Sequence, residues 1–143
     1  MLGYKLLNGY YPVIKKKKMT GILRNDINEE YAYSGYVEAG EFIFLSFCVG
    51  NVGESLENQV DGAFDNMSDR LKNAGLTLES VVKVDVLLRD AWDIPIMEKV
   101  FKRRFKGNYP ARKTIQTEFA HEGGETGLKV QIDGIAYNPG NRK

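Results

Sequence analysis

The chain has 143 residues, of which 43% are apolar, with a formal net charge of +1, one cysteine and one histidine. That length suits one domain with a buried core and is short for two. The charge gives no general attraction to nucleic acid or anionic membranes, and one thiol excludes a disulfide framework and a cysteine-rich zinc site. A lone cysteine fits a reducing compartment, so a cytoplasmic location is expected.

The chain opens "MLGYKLLNGYYPVIKKKKMTG". A secretory signal puts its positive charge before an apolar run. Here Lys15 to Lys18 come last, and Lys5, Asn8, Gly9 and Pro12 interrupt the apolar residues. No stretch approaches the roughly 18 apolar residues of a membrane helix. Residues 1–18 are expected to lie outside the core as an extension, with residues 19–143 forming a single domain. The lysine run reads as a solvated tail.

Residues 31–37 suit a strand, and Glu38-Ala39-Gly40-Glu41 can turn it back. "FIFLSFCV", residues 42–49, is a nearly continuous apolar strand. Strict alternation puts Phe42, Phe44, Ser46 and Cys48 on one face and Ile43, Leu45, Phe47 and Val49 on the other. Ser55 is a helix N-cap candidate. From there Leu56, Val60, Ala63, Phe64, Met67, Leu71 and Ala74 recur at helical spacing, and Gly75 stands where a C′ glycine belongs. "VVKVDVLL", residues 81–88, is the next strand. Asp93 is the N-cap candidate of a second helix, with Pro95 in its first turn and Ile94, Met97, Phe101 and Phe105 as its stripe, and Gly107 closes it. Residues 112–118 and 128–137 are the last strands.

The order β-β-α-β-α-β-β predicts an α+β domain, with two helices packed on one face of a mixed sheet. Strands facing water on the other side should alternate apolar with polar residues, and "FIFLSFCV" does not. An uncovered apolar face of that size marks an interface. A homo-oligomer formed through this face is the expectation, with a covering layer from residues 1–18 as the alternative.

Most of the chemistry-bearing residues read as ordinary. His121 is a lone loop histidine with no serine or cysteine beside it to suggest a triad. "EGGETG" lacks the lysine and following Ser/Thr of a phosphate loop. Cys48 within an apolar strand suits a buried thiol better than a nucleophile. Trp92 suits packing, and no cluster has metal-ligand spacing. In "NYPARKTIQTEF" Pro110 stiffens the entry to a strand and Arg112 follows. Arg112, Thr114 and Gln116 share one face of that strand. A fixed guanidinium there can fork a carboxylate, or be a plain strand-edge charge.

The whole order resembles one family. "AYSGYVEAG", "FIFLS", "VVKVDVLLRDAWD" and "YPARKTIQTEF" followed by "VQIDGIAY" resemble the RidA (YjgF) family of reactive-intermediate deaminases, over residues 31–137. The resemblance implies a chorismate-mutase-like α+β fold and a homotrimer with clefts between subunits. It implies hydrolysis of small 2-imino or enamino acids to 2-keto acids and ammonia, with no metal or organic cofactor. It places Arg112 as the substrate-carboxylate anchor, and Tyr33 and Ser46 at the cleft.

Four positions depart from the family pattern. Gln131 stands where a water-orienting glutamate is usual, and glutamine cannot accept a proton as a carboxylate does. Asp133, two residues on and on the same strand face, is the alternative. Glu98 replaces an asparagine, Thr114 a cysteine and Phe47 a glycine. Two readings stand: a deaminase anchored on Arg112, or a non-catalytic binder of small carboxylates such as 2-keto acids at the subunit cleft. A nucleic-acid role, attached to some relatives, is disfavoured by near-neutral charge and the lack of a basic aromatic stripe.

Overall fold

The computed structural model describes residues 21–120 and 127–141. The lysine run, His121 and most of "EGGETG" lie outside them. Six strands form one sheet: β1 (Ile22–Asn28), β2 (Tyr33–Ala39), β3 (Phe42–Cys48), β4 (Val81–Leu88), β5 (Ala111–Gln116) and β6 (Val130–Tyr137). Two helices, α1 (Leu56–Asn73) and α2 (Ile94–Phe105), complete it. The strand order is β1-β2-β3-β6-β4-β5, with β4 and β5 parallel and the other neighbours antiparallel. No helix among the described residues is long and apolar enough to cross a membrane.

The topology explains why both helices share a face. β3 and β4 run the same way with β6 between them, and β4 and β5 are parallel neighbours. Each connection is a crossover through a helix, and both move in the same direction across the sheet. Crossovers of one hand moving one way place their helices on one side. The fold class expected from the sequence is the one found.

Helix α1 begins at Ser55, whose Oγ accepts the Asn58 N–H at 3.2 Å. It ends in a Schellman motif: Leu76 N–H reaches the Leu71 carbonyl, and Gly75 takes φ +78°. Its stripe of Val60, Ala63, Phe64, Met67 and Leu71 is fully buried. The Phe64 ring meets Phe101 and Phe105 of α2 edge-on at 5.0 and 5.1 Å. Asp93 precedes α2 without capping it, and Asp90 instead caps the short turn before it, accepting the Trp92 N–H at 2.9 Å. Lys106 ends α2 in the left-handed region ahead of Gly107.

Three expectations need correction. The sequence pattern does not predict β1, because "ILRNDIN" carries polar residues through its middle and lies at the sheet edge, with β2 as its one neighbour. The alternation of β3 fails after Leu45. The register to β6 slips between Leu45 and Cys48, a β-bulge that turns Cys48 to the buried side with Ile43 and Leu45. Trp92 does not pack in the core but is 89% exposed.

The other face of the sheet is uncovered by any described element. Phe42, Phe44 and Ile115 are large apolar residues exposed on it, beside Ile135 and Tyr137. Lys83, Asp85, Lys113 and Asp133 add a charged centre.

Candidate functional site

The expected site residues fall into two groups on opposite faces of the sheet. Tyr33, Ser46, Phe47 and Gln131 gather on the uncovered face. With Asp133, Asn28, Tyr31, Leu45 and Ala120 they line a hollow of about 600 Å³. Glu98, Arg112 and Thr114 stand on the helix side of β5. Arg112 and Thr114 pair with Val84 and Val86, whose side chains are buried beneath the helices. A smaller hollow, about 340 Å³, is lined there by Glu98, Phe101, Lys102, Tyr109, Pro110 and Arg112.

The bulge in β3 builds the first group. It exposes Ser46 and Phe47 to the hollow while freeing their carbonyls from the ladder. Arg70, from α1, takes those carbonyls: its Nη1 donates to Ser46 O at 3.1 Å and Phe47 O at 3.0 Å. Its Nε lies 3.5 Å from Asp26 Oδ2 on β1. An arginine side chain only 10% exposed is thus held at Nη1 by the bulge carbonyls, while its buried Nε makes only the ion pair with the edge carboxylate and no hydrogen bond among the described residues. Ser46 Oγ donates to the Ser34 carbonyl of β2, which leaves its oxygen free to accept. The rings of Tyr33 and Phe47 meet at 5.2 Å.

Sequence reasoning missed Arg70. The available signal was its position, three residues after Met67 on a stripe that is otherwise apolar, where a charge demands a partner. Cys48 sits beside it, 3.4 Å from Nη1. Burial pushes the Cys48 thiol up to about 11 despite the adjacent guanidinium. The thiol stays protonated at neutral pH and has no nucleophile's character.

In the second group Pro110 delivers Arg112 to the start of β5. Its Nη2 lies 3.0 Å from Glu98 Oε2, and its Nη1 points at Met97 Sδ at 3.6 Å. Its guanidinium carbon stands 5.3 Å over the Phe101 ring. The planar cation is therefore held flat by packing and occupied on one arm by a carboxylate of the same chain. Thr114 Oγ1, on the same strand face, is buried with no hydrogen-bond partner among the described residues.

Gln131 and Asp133 project from β6 into the first hollow, opposite Leu87 and Asp85 of β4. Burial raises the Asp133 carboxyl above the usual carboxylate range. The facing Asp85 charge adds to this, and Lys83 and Lys113 oppose it. Among the described residues no group of three or more histidine, cysteine, aspartate or glutamate side chains could hold a metal ion.

Residues 23–138 match the family described as Endoribonuclease L-PSP. Reactive Intermediate Deaminase A of Arabidopsis thaliana is 33% identical over 111 residues, 73% of this chain. The chain spans little more than half of that relative, 57% of its length. The human 2-iminobutanoate/2-iminopropanoate deaminase is 30% identical over 73% of this chain and 78% of its own. A solved YjgF-family protein from Streptococcus pyogenes M1 GAS is 57% identical, covers 84% of this chain and 98% of its own, and superposes with a TM-score of 0.79. The chorismate-mutase-like fold expected from the resemblance is the fold of these neighbours. With its helix-capped mixed sheet and a profile match across nearly all of its described length, the chain belongs to the Endoribonuclease L-PSP family, also known as the YjgF or RidA family.

Proposed function

We propose that the protein hydrolyses small 2-imino or enamino acids to 2-keto acids and ammonia, at sites completed between copies of the chain. The observation that carries this reading is the separation of the two groups. Arg112 stands at a sheet edge on the helix side, while Tyr33, Ser46 and Gln131 line a hollow on the uncovered face. One chain cannot bring its own anchor to its own hollow. A second copy docked on the uncovered face can present Arg112 to it. A homotrimer, which the family resemblance implies, supplies such clefts in a closed ring. The relatives named as 2-iminobutanoate/2-iminopropanoate deaminases support the reaction class.

The chemistry needs position more than reagents. The guanidinium of Arg112 forks the substrate carboxylate and fixes the imine carbon. Ser46 and Gln131 hold a water against that carbon by hydrogen bonds. Water adds, ammonia leaves and the keto acid remains, with no cofactor called for.

A second reading has its own support. The 3.0 Å pair between Glu98 and Arg112, and the amide at 131, suit a protein that binds small carboxylates without turning them over. One assay separates the two. An amino-acid oxidase generates 2-iminopropanoate or 2-iminobutanoate in situ, and their loss is timed with wild-type protein and with Arg112→Ala. The deaminase reading expects faster loss with wild type and a fall of about a hundredfold or more in kcat/KM for the variant. Equal rates with and without wild-type protein would remove it and leave the binder. A gain that survives Arg112→Ala would remove the anchor.

A further inference from the structure

We infer that Asp133 is the proton acceptor of the uncovered hollow and performs the water-activating step that Gln131 cannot. The inference rests on the deaminase reading and assigns a group within that same site.

The geometry begins on β6. Asp133 follows Gln131 by two residues, so both side chains leave the same face of the strand. Both line the hollow with Tyr33, Ser46 and Phe47. Gln131 can orient a water but has no basic oxygen to take its proton. Asp133 is the only carboxylate among the described residues that line this hollow.

Its neighbours leave that carboxylate uncommitted. Asp85 stands directly opposite on β4. Lys83 Nζ bonds Asp85 Oδ1, and Lys113 Nζ of β5 lies 4.0 Å from the same oxygen. Both lysines pair with Asp85 and act on Asp133 only through their charge, and no hydrogen bond or ion pair among the described residues claims Asp133. From the other elements, β2 presents Tyr33, β3 presents the uncharged Ser46 and Phe47, and the β1 end presents Asn28 and Tyr31. Arg70 and the Cys48 thiol lie on the helix side of the sheet.

Two carboxylates facing each other across a ladder resist double ionisation. Burial, and then the Asp85 charge, raise the proton affinity of Asp133. A stronger base takes a proton from water more readily, so the shift favours the role. Asp85, already bonded to Lys83, faces Asp133 across the ladder.

The step balances without an oxidant or a cofactor. The Asp133 carboxylate takes a proton from water as the water oxygen bonds to the imine carbon, and the C=N π pair moves to nitrogen. That proton passes to the nitrogen, giving the carbinolamine. The carbinolamine hydroxyl then gives its proton, through Asp133, to the same nitrogen. The C–N bond breaks, ammonia leaves with the electron pair, and the C=O bond forms. Asp133 ends as a carboxylate.

The test is the pH–rate profile for 2-iminobutanoate generated in situ by excess amino-acid oxidase. Four proteins are compared: wild type, Asp133→Asn, Asp133→Asn with Gln131→Glu, and Asp85→Asn. Wild type is expected to lose activity on the acid side, as the raised carboxyl takes up its proton. Asp133→Asn is expected to lower kcat about a hundredfold with KM little changed, and to abolish that acid limb. Adding Gln131→Glu returns a carboxylate to the hollow and is expected to restore part of the rate. Asp85→Asn is expected to move the acid limb to lower pH, because it removes a like charge and frees two lysines.

Wild-type turnover with an Asp133→Asn variant that keeps the rate and the limb would overturn the inference and leave the deaminase reading intact. No turnover by wild type would instead remove the reading and the inference together. Circular dichroism melts establish that the variants fold. Where Asp133→Asn does not fold, the Asp85→Asn profile decides, and an unmoved limb overturns the inference.

Discussion

At the scale of single residues, the Arg112–Glu98 pair sets a cost for the proposed binding of a carboxylate at Arg112. The pair is half-exposed, with 29% and 43% of the two side chains accessible. Pairs of that kind contribute roughly 0–1 kcal/mol. The contact uses one guanidinium arm, whereas a substrate carboxylate needs two for a fork. In the proposed role Glu98 has to swing away, and its charge then lies beside the incoming anion. Glu98→Asn removes both costs. It is expected to tighten binding of 2-oxobutanoate about fivefold, the equivalent of about 1 kcal/mol. Titration calorimetry checks this, and an unchanged Kd would show that Glu98 does not compete.

Arg112 could be read from the sequence because Pro110 and its distance from the second helix mark it. The opposing carboxylate could be read too, as a departure at position 98. What the sequence hid was Arg70. Helical spacing alone cannot tell a buried charge with a partner from a solvated one, and the partner is a bulge that no local pattern announces.

At the scale of elements, the easiest strand to read is one rich in β-branched and apolar residues with no irregularity in its middle. "VVKVDVLL" occupies the strand it predicted, residue for residue. The helices declared themselves through caps and stripes. β3 was harder, because one extra residue re-aims everything after it. Its purpose is local: the bulge turns Cys48 into the core and Ser46 and Phe47 toward the hollow.

The loop after β3 is held just as tightly, by two glycines. Gly50 lies against Gly62 of α1, and a Cβ on Gly62 would sit 2.5 Å from the Gly50 carbonyl carbon. Backbone, not a flexible side chain, is in the way. Alanine favours a helix over glycine by about 1 kcal/mol. Overpacking against rigid backbone costs about 1–3 kcal/mol. Gly62→Ala is therefore expected to lower the thermal midpoint by several degrees, measured by calorimetry at matched protein concentration. A raised midpoint would mean that the loop yields and helix propensity wins.

At the scale of the whole molecule, the uncovered face and the divided site make one argument. Phe42 and Phe44 of β3 and Ile115 of β5 are each more than 40% exposed, an apolar patch of the kind that marks an interface. The sequence revealed this face through the missing alternation of "FIFLSFCV". It did not reveal that Arg112 and the hollow lie on opposite sides, because that depends on the parallel pairing of β5 with β4.

The division has a consequence that separates a shared site from a private one. Take two inactive variants, Arg112→Ala and the double substitution Tyr33→Ala with Ser46→Ala. Each loses a different group. Were both groups to act within one chain, every chain in a mixture would stay defective, and mixing would return nothing. Where Arg112 comes from one copy and the hollow from its neighbour, random assembly pairs an intact anchor with an intact hollow at about one quarter of the interfaces of an equal mixture. The proposed assembly therefore expects two inactive proteins, unfolded together and refolded, to regain about a quarter of wild-type turnover of 2-iminobutanoate. Sedimentation of the same samples gives the oligomer size alongside. A refolded oligomer that remains inactive would place the complete site within a single chain and remove the shared cleft.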